Sequence, residues 1–427
     1  MAKVLIVGGE GRAHALSWKI AQSPLVEKVY FAPGNGGTSQ VGENIDINVS
    51  ELNKLADFAK QNKIDLTVVS PEMPLAEGIV DLFEKEGLKI FGPSKAAAKI
   101  ETSKVFSDSF LKRHKIPYPD STVVSSLAEA KAYVRQHPPQ SYVIKADGLA
   151  GGKGVILPET QEEAETALGD IMAKKIFGDS GNQIVFQERL RGQEVSTFAL
   201  SDGENILMLP YLQDHKRIYD GDKGPNTGGV GAYTPVPFMT DELDEQVQKE
   251  IIQATVDGMR SDGRPYKGVL YGGLFITEAG DPKVIEFNCR FGDPECQPMM
   301  RVIDEDIYPL LMQSAEGRLT SKAIRIKPGA AVNIVLTSGG YPGSYQTDYE
   351  IMGLNSVEDP DVVIFHAGTK NEDGKILTNG GRVLNVTAYG KDLKNALAKA
   401  YAQIGPSGIH FKDMHFRTDI GFRVLNH

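Results

Sequence analysis

The sequence predicts an α/β protein that opens on a doubly wound, mainly parallel sheet and continues through α+β units. Over the first hundred or so residues, short β-branched runs alternate with helical patterns, the signature of a sheet covered by helices on both faces. From about Thr102 longer strands joined by hairpin turns take over, and from about Ile326 there is a further small α+β unit. A chain of 427 residues exceeds what one compact core can organise, so several packed units are expected.

The opening strand is the run Lys3–Gly8, followed by a helix from His14, a strand ending in Ala32-Pro33, a helix from Glu51, a strand over 65–69, a helix from Leu75 and a strand ending at Phe91. A helix is expected over Lys104–His114, then a strand that runs through Lys145 into the glycine-rich stretch Gly148–Gly154. Asp202-Gly203 is a hairpin dipeptide between two apolar runs, and Ala279-Gly280-Asp281 turns a second hairpin after a long helix over Asp241–Ser261. Three strands, around Val332, Ile364 and Val386, belong to the last unit.

Composition narrows the function. With 41% apolar and 24% charged residues the chain is an ordinary globular one, and 46 basic against 56 acidic side chains, a net charge of −10, speak against nucleic acid as a partner. Any phosphate site must then be a local pocket of Lys, Arg and backbone amides. Cys289 and Cys296 cannot make a disulfide framework and have no zinc-type spacing around them. Lys3 is followed by only four apolar residues before Gly8, and no apolar run is long enough to span a bilayer, so a cytoplasmic protein without a membrane partner is expected.

Four segments carry chemistry. The loop Gly8-Gly9-Glu10-Gly11 comes after a strand and opens a helix, where amides and the helix dipole attract anions, so Gly8, Gly9 and Gly11 are candidates for a substrate phosphate. A nicotinamide-dinucleotide reading is disfavoured, because His14 stands where that pattern needs glycine and Ala32-Pro33 where a ribose-binding carboxylate belongs. Lys145 and Lys153 flank a turn containing Gly151 and Gly152 that can approach a polyphosphate, although it is not a Walker loop. Period two puts Glu286 and Asn288 on one strand face, a pair of oxygens suited to a hard cation, with Arg290 just beyond to grip a carboxylate or phosphate. The segment from Asp214 to Ala232, with Asn226 and Gly228 in its glycine-rich half, reads as a loop shaped for a small polar ligand. Each segment alone has a plainer explanation as a tight turn, a mobile loop or a polar strand face.

Together these segments resemble the ATP-grasp superfamily and, within it, the glycinamide ribonucleotide synthetase family. The likeness runs along essentially the whole chain, through GGEGRAHAL, APGNGGT, IKADGLAGGKGV, FQERLRGQEVS, GPNTGGVGAYTP, VIEFNCRFGDPE and DIGFR. It implies an amino-terminal domain over residues 1–101, an ATP-grasp core over 102–325 with a mobile lid at about 120–190, and a small carboxy-terminal domain over 326–427. By that resemblance Lys104, Lys145 and Lys153 face the nucleotide phosphates, Glu188, Arg189 and Leu190 form the edge that receives adenine, and Glu194 bonds the ribose. Glu286 and Asn288 become ligands of Mg²⁺ or Mn²⁺, Arg290 lies beside the reacting carboxyl group, and Asp214 orients an amine. The implied reaction, by a monomer, joins glycine to phosphoribosylamine with ATP. Other ATP-grasp ligases of purine metabolism would share the nucleotide residues and differ at the acceptor, and an inactive nucleotide-binding relative would be expected to have lost these charged residues. Two departures stand out: Ala13 where the family usually has Glu, and Gly272-Gly273 where many relatives carry another acidic ligand.

Overall fold

The computed structural model describes residues 1–148 and 154–425. Strand Ala2–Gly8 is central in a five-stranded, all-parallel sheet, with Val26–Pro33 on one side and Leu66–Val69 on the other. Its alternation decides what lies on each face: Leu5 and Val7 enter one core, Val4 and Ile6 the other. Both cores continue into the middle of the chain, so the amino-terminal sheet is welded to the central part of the molecule. The first helix begins at Gly11, three residues before the point that apolar periodicity suggests. The helix expected from Leu75 starts at Glu72 and breaks at Gly78, whose φ of +96° ends one segment, Glu72–Glu77, and admits the next, Ile79–Lys85.

Helix Lys104–His114 forms where the sequence places it, its start capped by Ser103 Oγ, which accepts from the Phe106 amide at 3.0 Å. Strands Ser121–Val124, Tyr142–Ala146, Val155–Ile156 and Ile184–Glu188 then build a four-stranded antiparallel sheet. Helices Leu127–Gln136 and Gln161–Leu168 cover it, and it has a small core of its own around Ile144, Phe186 and Leu168. A unit with a separate core can move as a body, because few apolar contacts tie it to the rest.

The largest element is an eight-stranded sheet. Hairpin Gly192–Asp202 and Ile206–Asp214 is turned by Asp202, whose Oδ1 accepts from the amides of Glu204 and Asn205. Lys267–Thr277 pairs along the first of these strands, and Pro282–Asn288 forms the edge. On the other side the short strand Gly231–Thr234 pairs with Asp214 through Ala232 and with Ile334 through Gly231. The sheet therefore runs on through Ala330–Thr337, Arg382–Gly390 and Val362–His366, without a break at residue 326. The long helix of 241–261 is continuous but widens into a π-helical stretch over Val247–Gln253. Among the described residues no helix is long and apolar enough to cross a membrane.

The tail beyond the last sheet strand is tied to the loop after Asp214 by charge. Arg417 is fully buried and donates to Asp222 Oδ1 at 2.7 Å, to Asp419 at 2.7 and 2.8 Å and to the Arg217 carbonyl at 3.1 Å. Arg423 donates to the Asp214 carbonyl at 3.1 Å and to Asp222 at 2.7 Å. Replacing Arg417 by Met leaves Asp419 without its cation and Asp222 with Arg423 alone, and since both carboxylates are partly exposed the cost is expected at about 2 kcal/mol, read as a lower urea midpoint with an unchanged slope.

Candidate active site

The register of the large sheet gathers the expected groups. Gly273 lies opposite Glu286 on one neighbour and Ser196 on the other, while Tyr271 lies opposite Asn288. A Cβ at Gly273 would sit 3.1 Å from Glu286 Cγ, so the glycine leaves the carboxylate room and supplies no second acid beside it. Glu194 enters on the next strand, and Lys145 arrives from the four-stranded sheet, its ammonium donating to the Ile285 carbonyl at 2.6 Å. Lys104 joins them, its Nζ donating to the Gly148 carbonyl at 2.9 Å.

Charge balance explains how these groups coexist. Burial alone would push Glu286 up, but Lys216, Lys145, Lys104 and Arg290 together hold it below the ordinary glutamate range. Burial lowers Lys145 to about 8 although Glu286 opposes this, so an arriving anion would strengthen its protonated form. Lys216, which pairs with Glu194 at 3.0 Å, is held well above its usual range because Glu194, Asp214 and Glu286 outweigh its burial. Burial pushes Asp214 up to about 7, Lys216 opposes, and Glu295 and Glu194 push it further. Glu295 in turn accepts from Ser196 at 3.0 Å and from the Tyr271 hydroxyl at 2.7 Å.

Arg290 is held on several sides. It donates to Asn288 Oδ1 at 2.9 Å and to the Phe291 carbonyl, and it lies 3.3 Å from Glu101 and 3.4 Å from Glu72. Its Nε has no hydrogen-bond partner among the described residues, nor has Asn288 Nδ2. Glu286 likewise forms no ion pair within 4 Å among them. A half-buried carboxylate without a direct partner, beside an Asn288 Oδ1 that accepts one hydrogen bond and keeps a second lone pair, fits a cation site completed by water and phosphate, as Mg²⁺ prefers. No cluster of three acidic, His or Cys ligands exists among the described residues.

A recess of about 380 Å³ opens between the first loop and the carboxy-terminal strands. Gly9, Glu10, Asp293, Gly368 and Arg382 line it. Arg382 lies 3.7 Å from Asp293 and donates to the Gly228 carbonyl at 2.8 Å, and Asp293 accepts from the Arg12 amide at 3.4 Å. Asn35 closes the seam by donating to the carbonyls of Gly9 and His366, both at 2.8 Å. A larger recess of about 540 Å³ beside Asp108, Arg113 and Ser121 holds none of these groups.

Three family models match the chain: a phosphoribosylglycinamide synthetase N domain over residues 2–101, an ATP-grasp (A) domain over 102–296 and a C domain over 331–423. The chain belongs to the phosphoribosylglycinamide synthetase family. It is 48% identical over 426 residues to the phosphoribosylamine–glycine ligase of Escherichia coli strain K12, covering 99% of both chains. The ligase of Vibrio parahaemolyticus is 47% identical over 425 residues, covering 99% of this chain and 98% of its own. The crystal structure of the Thermotoga maritima phosphoribosylamine–glycine ligase superposes with a TM-score of 0.85 at 32% identity, over 98% of this chain and 100% of that one. N5-carboxyaminoimidazole ribonucleotide synthetase from the same organism, at 19% identity and a TM-score of 0.63 over 98% and 99% of the two chains, shares the fold.

Within this synthetase fold the expected residues fall into separate places. Lys104, Lys145, Glu194, Asp214, Glu286, Asn288 and Arg290 come together. Gly151, Gly152 and Lys153 lie outside the described residues, as does most of the turn expected to act as the lid's phosphate-binding edge. The amides of Glu188 and Arg189 donate to the carbonyls of Asp120 and Ser141, whereas the Leu190 amide has no partner among the described residues. Asn226 is exposed and pairs with Arg217, and Gly228 lies next to Arg382. Of the three loop glycines only Gly9 lines the recess, while Gly8 and Gly11 are buried against protein. Sequence reasoning missed Lys216, Glu295, Tyr271, Glu101, Glu72, Asp293 and Arg382 as members of the site. Lys216 lies in the 214–232 loop, and Asp293 and Glu295 close the motif VIEFNCRFGDPE, yet only tertiary contacts distinguish them from their neighbours in the chain.

Gly11 has a packing role of its own: a Cβ there would lie 2.4 Å from Asn385 Nδ2 and 2.6 Å from Gln297 Nε2. The substitution Gly11→Val is therefore expected to cost about 1–3 kcal/mol of stability by overpacking, measured by chemical denaturation. A change in substrate affinity at unaltered stability would contradict that account.

Proposed function

We propose that the enzyme joins glycine to 5-phosphoribosylamine at the expense of ATP, giving glycinamide ribonucleotide, ADP and phosphate in de novo purine biosynthesis. The observation that carries this reading is the joining of a charged side-chain cluster and a recess through Glu72. One holds three lysines and Arg290 around Glu286, and the other presents Glu10, Asp293 and Arg382 at the loop of Gly9. The first suits a nucleotide triphosphate and a small carboxylate, the second a sugar phosphate.

A carboxylate is a poor electrophile until one oxygen becomes a leaving group. A glycine carboxylate oxygen attacks the γ-phosphorus of ATP, the bond to the β–γ bridging oxygen breaks, and ADP departs. The amine of phosphoribosylamine then attacks the carbonyl carbon of glycyl phosphate, the C–O bond to phosphate breaks, and the nitrogen loses a proton. Lys104, Lys145 and Arg290 offset the charge of the transferring group. Lys153, from the glycine-rich turn, is assigned to the same phosphates. Leu190 offers its amide to adenine beside Glu188 and Arg189, and Glu194 faces the ribose. Glu286 and Asn288 would hold Mg²⁺ or Mn²⁺, which when bound neutralises phosphate oxygens. Asp214 orients the substrate amine, and its ionised form accepts the proton.

The decisive assay measures ADP release with glycine and freshly made phosphoribosylamine, each omitted in turn. Full turnover should need both, and Glu286→Ala should lose at least about a hundredfold in kcat while staying folded, because it removes the charged cation ligand and no core packing. Ligation that proceeds equally well with another amine in place of phosphoribosylamine would overturn the assignment. The pH dependence tests Asp214. With its carboxyl pushed up to about 7, the ionised form grows as pH rises through that value, so kcat/KM should climb on the acid side with that midpoint. Asp214→Asn should lack this limb and lower the rate throughout.

A further inference from the structure

The link between the charged cluster and the recess passes through one oxygen atom. Glu72 Oε2 accepts a hydrogen bond from Arg12 Nη2 at 3.4 Å and lies 3.4 Å from Arg290 Nε. Three separate segments meet there: Arg12 lies in the first turn of the first helix, Glu72 starts the helix after strand Leu66–Val69, and Arg290 follows the end of the edge strand Pro282–Asn288. Glu72 thus stands at the carboxyl end of a parallel strand, where such sheets present ligand-contacting groups.

We infer that Glu72 is a positioning residue shared by both halves of the site, setting Arg12 toward the acceptor recess and Arg290 toward the carboxyl group being activated. This rests on the ligase reading. Arg12 is otherwise anchored at the end of the same strand, where its Nε donates to the Ser70 carbonyl at 3.0 Å and hydroxyl at 3.2 Å. Its amide meets Asp293, a wall of the acceptor recess. Arg290 touches Asn288 through Nη2, while its Nε faces Glu72 without completing a hydrogen bond among the described residues, so the contact with Glu72 is one of charge. Two guanidinium groups near one point repel each other unless a carboxylate stands between them. Burial opposes ionisation of Glu72, but Arg12 and Arg290 overcome it and keep the group charged.

Each arginine retains another acid when Glu72 is neutralised: Glu101 lies 3.3 Å from Arg290 and Glu10 3.7 Å from Arg12. Glu72→Gln should therefore keep the fold and lose only the shared tie. A side chain that merely supports the fold would instead alter stability and all substrates together.

The test uses the full-length enzyme with three readouts: KM for each substrate, thermal melting, and positional isotope exchange in ATP with glycine but no acceptor, which reports glycyl phosphate formation. For Glu72→Gln, KM for glycine and for phosphoribosylamine should each rise by about tenfold, exchange should slow by a similar factor, and KM for ATP should stay within about twofold. Glu72→Asp, which keeps the charge on a shorter arm, should recover part of the loss. The inference is overturned if only one of the two substrate constants moves, if ATP affinity and melting fall in step with them, or if both variants behave as the parent. Absence of phosphoribosylamine-dependent turnover in the parent enzyme would instead sink the ligase reading, so the two failures are distinguishable.

Discussion

The architecture depends on a strand of four residues. Gly231–Thr234 pairs on one edge with the strand ending at Asp214 and on the other with Ala330–Thr337, and so turns two sheets into one of eight strands. Backbone hydrogen bonds on both edges pair this strand in the middle of the molecule, where an orphaned amide or carbonyl would be costly. Because the sheet is continuous, Glu286 on one edge strand and Arg382 on a carboxy-terminal strand are held in one frame.

Charge is the second constraint, and it explains why the site is built from so many segments. A buried carboxylate or ammonium is stable only with partners, and no single strand can supply both signs at the right spacing. Glu286 is therefore compensated by lysines from three other segments, and Arg290 by Glu72 and Glu101 from two more. The same logic applies away from the chemistry, where Arg417 and Arg423 hold the loop after Asp214 through Asp222. Reaching the Asp214 carbonyl, Arg423 makes the carboxy-terminal tail part of the support of the site.

The first loop shows how one sequence feature can serve two purposes. Its glycines suggest an anion cradle, and Gly9 does face the recess beside Arg382. Gly8 and Gly11 serve close packing, with Ser70 and Asn385 occupying the space a side chain would need. His14 is also structural: its Nδ1 accepts from the His366 amide at 3.0 Å, and burial lowers it to about 3, so it stays a neutral acceptor between the first helix and a carboxy-terminal strand.

By itself the sequence determined what depends on local periodicity and local chemistry. Alternation of strand and helix patterns in the amino-terminal part specified a parallel sheet, turn residues specified both hairpins, and period two placed Glu286 and Asn288 on one face with Arg290 beyond. The motifs were legible because glycine and charge at close spacing are expensive to keep without a reason. Tertiary structure alone decided the continuity across residue 326, since a four-residue strand carries too short a pattern to announce both its partners. It alone decided that Glu72, Glu101 and Lys216 belong with Arg290 and Glu286, because an ion pair is defined by distance in space and these residues are separated by up to some two hundred positions along the chain, a span over which no local pattern operates.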